Sequence, residues 1–184
     1  MARYYVDLES IFDRQSVYPR AETLEMAARA KIVYDDIYYI EEEFFFGINQ
    51  EKGLVAEFKR NSAGFDAVVC DSQTIKVPDV ICDKITIFGF SEWGYCDGEF
   101  ILKFTDGSEE KATAAYLDMR WNGNATYDCD KNLYSEHNRV FKRISDRSIY
   151  YTTTILRNKE SGLSKIIFPD HMFMNIMAIT LEKD

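Results

Sequence analysis

The chain has 184 residues, 46% of them hydrophobic and 29% charged, which excludes a disordered chain and leaves room for one large core rather than two cramped ones. With 22 basic residues against 31 acidic ones the net charge is −9, so a nucleic-acid backbone or an anionic membrane is repelled over most of the surface, whereas a neutral or cationic ligand is not. Tyr (12) and Phe (13) raise the aromatic share to 15%, a bias that favours strands.

The opening residues, MARYYVDLESIFDRQ, place charges at Arg3, Asp7, Glu9, Asp13 and Arg14, so no apolar signal core or membrane span forms there, and a cytoplasmic chain is expected. AETLEMAARAKI (21–32), with Pro19 just ahead, predicts a short helix whose Leu24, Ala27, Ala28 and Ile32 recur at three- and four-residue steps. Beyond it the texture changes to short apolar or alternating runs separated by turn residues. Strands are predicted at 37–48, 53–59, 64–70, 73–77, 83–91, 98–105, 109–117, 148–158, 163–168 and 173–182. Phe100, Leu102 and Phe104 alternate with Glu99, Ile101, Lys103 and Thr105, so one face of that strand points to a core. Asp106-Gly107 is a hairpin signal, because Gly supplies the positive φ of a tight turn. The expected class is all-β, a two-sheet antiparallel sandwich, with residues 1–36 as a segment carrying a short helix packed on a sandwich of residues 37–184. No repeat or Pro/Gly/Ser linker divides the chain, and the longest turn-rich stretch is 121–139.

Taken in order, FDAVVCDSQTIKVP (65–78), DKITIFGFSEWG (83–94), GEFILKFTDGSEE (98–110), DMRW (118–121), SIYYTTTILRN (148–158) and LSKIIFPDHMFMNIMAITLE (163–182) resemble a galactose-binding-domain-like β-sandwich of the kind associated with bacterial glycoside hydrolases. The resemblance covers roughly residues 37–182. It implies a jelly-roll fold with ligand loops at one end.

At that end Trp93 lies between Glu92 and Gly94 in a loop, with Tyr95 two residues on, and Asp118, Arg120 and Trp121 open the long turn-rich stretch. An exposed indole stacks on the apolar face of a pyranose, and an acceptor, a fork of donors and a second indole orient its hydroxyls. The alternative is that Trp93 seals the end of the sandwich and that Asp118 and Arg120 pair with each other. Non-catalytic recognition of a neutral glycan through these five residues is the leading expectation, with no cofactor, nucleic acid or membrane partner. The runner-up is a protein interaction or assembly module on the same fold, its loop aromatics forming the interface.

Glycoside hydrolysis would need two carboxylates across a bond. Glu41, Glu42, Glu43, Glu92, Asp97, Glu99 and Asp118 are too many candidates to single out a pair. His137 and His171 each follow a carboxylate, but neighbouring side chains on extended backbone point apart, and both read as loop residues. Asp128, Asp130 and Asn132 open like a calcium loop, which then fails because Leu133 stands where Gly is needed and Arg139 where a closing Glu is needed. Cys70, Cys82, Cys96 and Cys129 form no C-x-x-C pair, and free thiols are expected. Alkylation without reductant should therefore add four labels to the unfolded chain, and two or none would show a disulfide.

Overall fold

The computed structural model describes residues 2–18, 40–41, 46–51, 53–118, 139–142 and 148–184. Among these residues the strands are β1 (Ala2–Tyr5), β2 (Val17–Tyr18), β3 (Ile40–Glu41), β4 (Gly47–Glu51), β5 (Leu54–Phe58), β6 (Val68–Asp71), β7 (Thr74–Val80), β8 (Lys84–Ser91), β9 (Cys96–Phe104), β10 (Glu109–Tyr116), β11 (Arg139–Lys142), β12 (Ser148–Ile155), β13 (Leu163–Ile167) and β14 (Asp170–Lys183), with one 3-10 turn at Glu9–Ile11. Each strand expected from residue 53 onward has a counterpart, whereas of 37–48 only 40–41 and 46–48 are described, and they belong to two different strands, β3 and β4. β1, β2 and β11 were not foreseen. The helix expected over 21–32 lies outside the described residues, as does Cys129.

One sheet runs β1-β14-β8-β12-β11, with β6 also on β14; a second runs β10-β9-β13-β7. All pairings within these two sheets are antiparallel. Ile176 of β14 faces Val68 of β6 on one side and Gly89 of β8 on the other, and Leu181 faces Tyr4 of β1 and Ile85 of β8, so β6 and β1 follow one another along a single edge of β14.

The two sheets share one core, as a sandwich does. Ile85, Ile87, Ile176, Ile179 and Tyr150 from the first meet Phe100, Leu102, Ala114, Tyr116 and Ile166 from the second. On β8 the alternation IFGF sends Ile87 into that core and Phe88 and Phe90 to the opposite face, where Phe58, Ala56, Val17, Ile149 and Ala178 cover them. β5 lies over that outer face, held by a 2.8 Å hydrogen bond from the buried Thr180 hydroxyl to the Val55 carbonyl. A third layer therefore rests on the first sheet, which is why β8 is buried along nearly its whole length.

Gly89 is required in that strand. A Cβ there would lie 2.1 Å from the Asn175 carbonyl oxygen and 3.1 Å from the Tyr116 ring, so the missing side chain makes room for a fully buried tyrosine. Tyr116 satisfies its own hydroxyl by donating to the Ile87 carbonyl at 3.0 Å. Cys70, Cys82 and Cys96 are buried free thiols. Burial pushes Cys82 and Cys96 up to about 11 and Cys70 higher still, so none supplies a thiolate at neutral pH.

Glu182, only 4% exposed, lies between register partners Arg3 of β1 and Lys84 of β8 and pairs with each at 2.9 Å. Burial works against its charge, yet the two cations outweigh it and hold the carboxyl below its ordinary 4.5. A depressed carboxyl stabilises the fold fully above its unfolded value and loses that contribution as pH falls through the folded one. Glu182→Gln should therefore lower stability at pH 7 by about 1–3 kcal/mol, and the gap from the parent should close as pH drops through the range below 4.5. An equal gap at both ends of the titration would rule out the charge as its cause.

Candidate functional site

The connection from β8 to β9 is Glu92-Trp93-Gly94-Tyr95, and its backbone is fixed from several sides. Ser91 N–H donates to the Leu117 carbonyl at 3.1 Å, and Ser91 bridges Asp118 in parallel. Glu92 N–H donates to the Phe173 carbonyl at 3.1 Å, tying the loop to β14. Trp93 N–H donates to the Ser91 hydroxyl at 3.3 Å, which itself donates to the Trp93 carbonyl. Gly94, at φ +61°, takes the left-handed conformation that reverses the chain, and its N–H donates to Asp118 Oδ2 at 3.4 Å.

This pinned backbone leaves the Trp93 side chain 66% exposed, so it does not seal the sandwich. Tyr95 is half-buried against the main core. Asp118 is 9% exposed and directs its carboxylate at the loop backbone, while its carbonyl accepts from the Tyr150 hydroxyl at 3.4 Å. Arg120 and Trp121 lie outside the described residues. Of the five residues expected at this end, Trp93, Tyr95 and Asp118 are neighbours along the backbone, with Tyr95 turned to the core and the Asp118 carboxylate to the Gly94 N–H.

Three further residues lie at this end of the fold. Met172 (69% exposed) and Phe173 (36%) sit at the start of β14 beside the loop. Two large apolar neighbours on a strand cannot both face one core, and that was the available signal. His171, read from the sequence as a loop residue, lies on β14 opposite Cys70, its ring 6.3 Å from that of Phe173. The third is Arg14, whose guanidinium forms an ion pair with Glu92. No spacing rule connects residues so far apart in the chain. Burial pushes the Glu92 carboxyl above its ordinary value; Arg14 pulls it back in part, and the nearby Asp118 carboxylate adds to the rise.

The other carboxylates are placed elsewhere. Glu99 pairs with Lys111 at 2.6 Å on the solvent face of the second sheet, and Asp97 is exposed at the start of β9. The side chains of Glu41, Glu42 and Glu43 and the acidic stretch 128–132 lie outside the described residues. Among the described residues no three His, Cys, Asp or Glu side chains come together as metal ligands, and no helix is long and apolar enough to cross a membrane.

Two open clefts lie at the far end of β9, roughly 25 Å along the strand from Trp93. One, of about 500 Å³, is lined by Ile101, Lys111, Ile155 and Arg157. The other, of about 700 Å³, surrounds Asp106, Ser108, Asn158 and Ser161. Much of its hydrogen-bonding capacity is taken up within the wall: Asp106 accepts from Ser108 and Asn158 at 2.6–2.9 Å, and Asp106 N–H donates to Ser161 at 3.1 Å. These bonds lock the Asp106-Gly107 turn to the loop after β12.

No protein-family model matches the chain, and no curated protein matches it. Its functional reading therefore rests on the geometry of the Trp93 end. Because the indole is outside the core, Trp93→Ala should change stability by no more than about 0.5–1 kcal/mol, while Phe100→Ala, which empties a fully buried site, should cost about 3–5 kcal/mol. Paired thermal melts check this, and a comparable loss for both would return Trp93 to the core.

Proposed function

We propose that the protein is a non-catalytic carbohydrate-binding β-sandwich of the galactose-binding-like, jelly-roll type, recognising a neutral glycan at the end formed by the 92–95 loop. The observation that carries this reading is an indole 66% exposed on a loop whose backbone is hydrogen-bonded to β10's end and to β14. Leaving a large apolar ring in water is unfavourable, and fixing the backbone that carries it lowers the ordering cost that binding would otherwise incur. Such a ring suits the flat apolar face of a sugar. Tyr95, Asp118, Arg120 and Trp121 complete the proposed site, and a net charge of −9 favours a neutral ligand over an anionic one.

A second reading draws on Met172 and Phe173, two exposed apolar residues at the start of β14, the strand to which the Trp93 loop is bonded through the Phe173 carbonyl. On that reading the same end of the fold meets a partner protein. The two differ in what the parent protein retains. A glycan array should find at least one neutral oligosaccharide bound, with Trp93→Ala weakening it by about 1–3 kcal/mol while the fold stays intact. An array on which the parent retains no glycan would overturn the carbohydrate reading and leave the interface.

A further inference from the structure

We infer that the Arg14–Glu92 ion pair is the positioning element of the Trp93 platform, so that the N-terminal segment takes part in the ligand end. As a statement about binding it rests on the carbohydrate reading; as a statement about the placement of Trp93 it does not.

Arg14 is itself held by backbone. Its N–H donates to the Ala67 carbonyl at 3.1 Å, and its carbonyl accepts from Asp66 N–H at 2.9 Å and Ala67 N–H at 3.1 Å. Flanking residues add to this: Asp13 Oδ1 accepts from Val69 N–H at 2.9 Å, and the buried Asp66 accepts from Ser16 N–H at 2.8 Å and Val17 N–H at 3.2 Å. The guanidinium thus starts from a fixed main chain joined to the strand that opens into β6. It reaches the residue immediately before Trp93. Glu92 N–H is already bonded to Phe173, so the ion pair adds a side-chain tie to a main-chain one and restricts how the loop pivots about Ser91.

Stability alone does not explain the pair. Burial leaves the Glu92 carboxyl above its ordinary value even with Arg14 beside it, so the fold favours the neutral form, and that favourable contribution is lost as pH rises through the folded value. Ionising Glu92 at neutral pH therefore works against the burial of its carboxyl. A neutral isostere would relieve that cost, and the Arg14 side chain, 36% exposed, would be solvated after losing its partner. What the contact supplies is a side-chain link between the N-terminal segment and the residue before Trp93.

The test uses the full chain labelled with 5-fluorotryptophan, whose two indoles give two ¹⁹F signals assigned through Trp93→Phe. Glu92→Gln, Arg14→Gln and the double variant are compared with the parent by the Trp93 signal and by its acrylamide quenching after Trp121→Phe. Each single variant should shift or broaden the Trp93 signal and raise its quenching constant roughly twofold. The double variant should do no more than either single one, because both remove the same tie. Arg14→Lys should restore part of the effect, and Glu92→Gln should melt no lower than the parent. Unchanged Trp93 signals in both single variants, additive effects in the double, or a Glu92→Gln effect that appears only with a lowered melting temperature would each overturn the inference. No glycan enters these measurements, so a failure of the carbohydrate reading on the array is seen separately.

Discussion

β14 is hydrogen-bonded along both edges and ties the layers of the fold to one another. Its 14 residues are paired on one edge with β8 and on the other with β6 and then β1, and its middle is buried on both faces. A strand in that position fixes its neighbours in three directions. The inner face supplies Ile176, Ile179 and Leu181 to the core shared with the second sheet, and the outer face offers Ala178 and the Thr180 hydroxyl to the layer carrying β5. A bulge between Ile176 and Ala178 lets one strand serve both ends, since it resets the pairing with β8 beyond the Gly89–Tyr116 contact. The same strand anchors the Trp93 loop through the Phe173 carbonyl, so the candidate site is attached to the most constrained part of the fold.

The outer layer depends on a buried charge. Asp66, whose side chain is fully buried, accepts hydrogen bonds from Ser16, from Val17 N–H and, at 3.3 Å, from Arg60, whose guanidinium stands 4.6 Å over the Phe46 ring. Burial raises the Asp66 carboxyl above its ordinary value against the pull of these donors. This desolvated group holds residues 13–17 in register with 66–69, and Arg14 is carried along with them. The N-terminal segment is therefore joined to the Trp93 loop through a chain of contacts that begins at an interior carboxylate.

At the candidate site the two kinds of tie have different roles. Main-chain hydrogen bonds from Ser91, Glu92 and Gly94 make the turn stable. The Arg14–Glu92 pair sits in a partly buried place where ionising Glu92 is unfavourable, with Asp118 adding to the burden. Local rules are broken here by an exposed indole and a half-buried acid side by side, and such departures are expected where a surface has a task beyond folding.

The all-β class and the path of most strands are legible in the sequence, because period-two alternation and turn chemistry are local. GEFILKFTDGSEE states its inner face and its reversal within thirteen residues, and β9, β10 and their hairpin follow it closely. It also marked Trp93 as a loop aromatic, though whether that ring faced the core or water was left open: the residues SEWGY are the same in either case. Tertiary packing settles the matter, since the exposure of a ring depends on what lies over it. The third layer was equally hidden, because Phe88 and Phe90 announce a buried outer face without naming what buries it. β1 and the Arg14–Glu92 pair were illegible for the same reason: each is defined by a partner far along the chain, and no periodicity records which distant segments the folded sheet brings side by side.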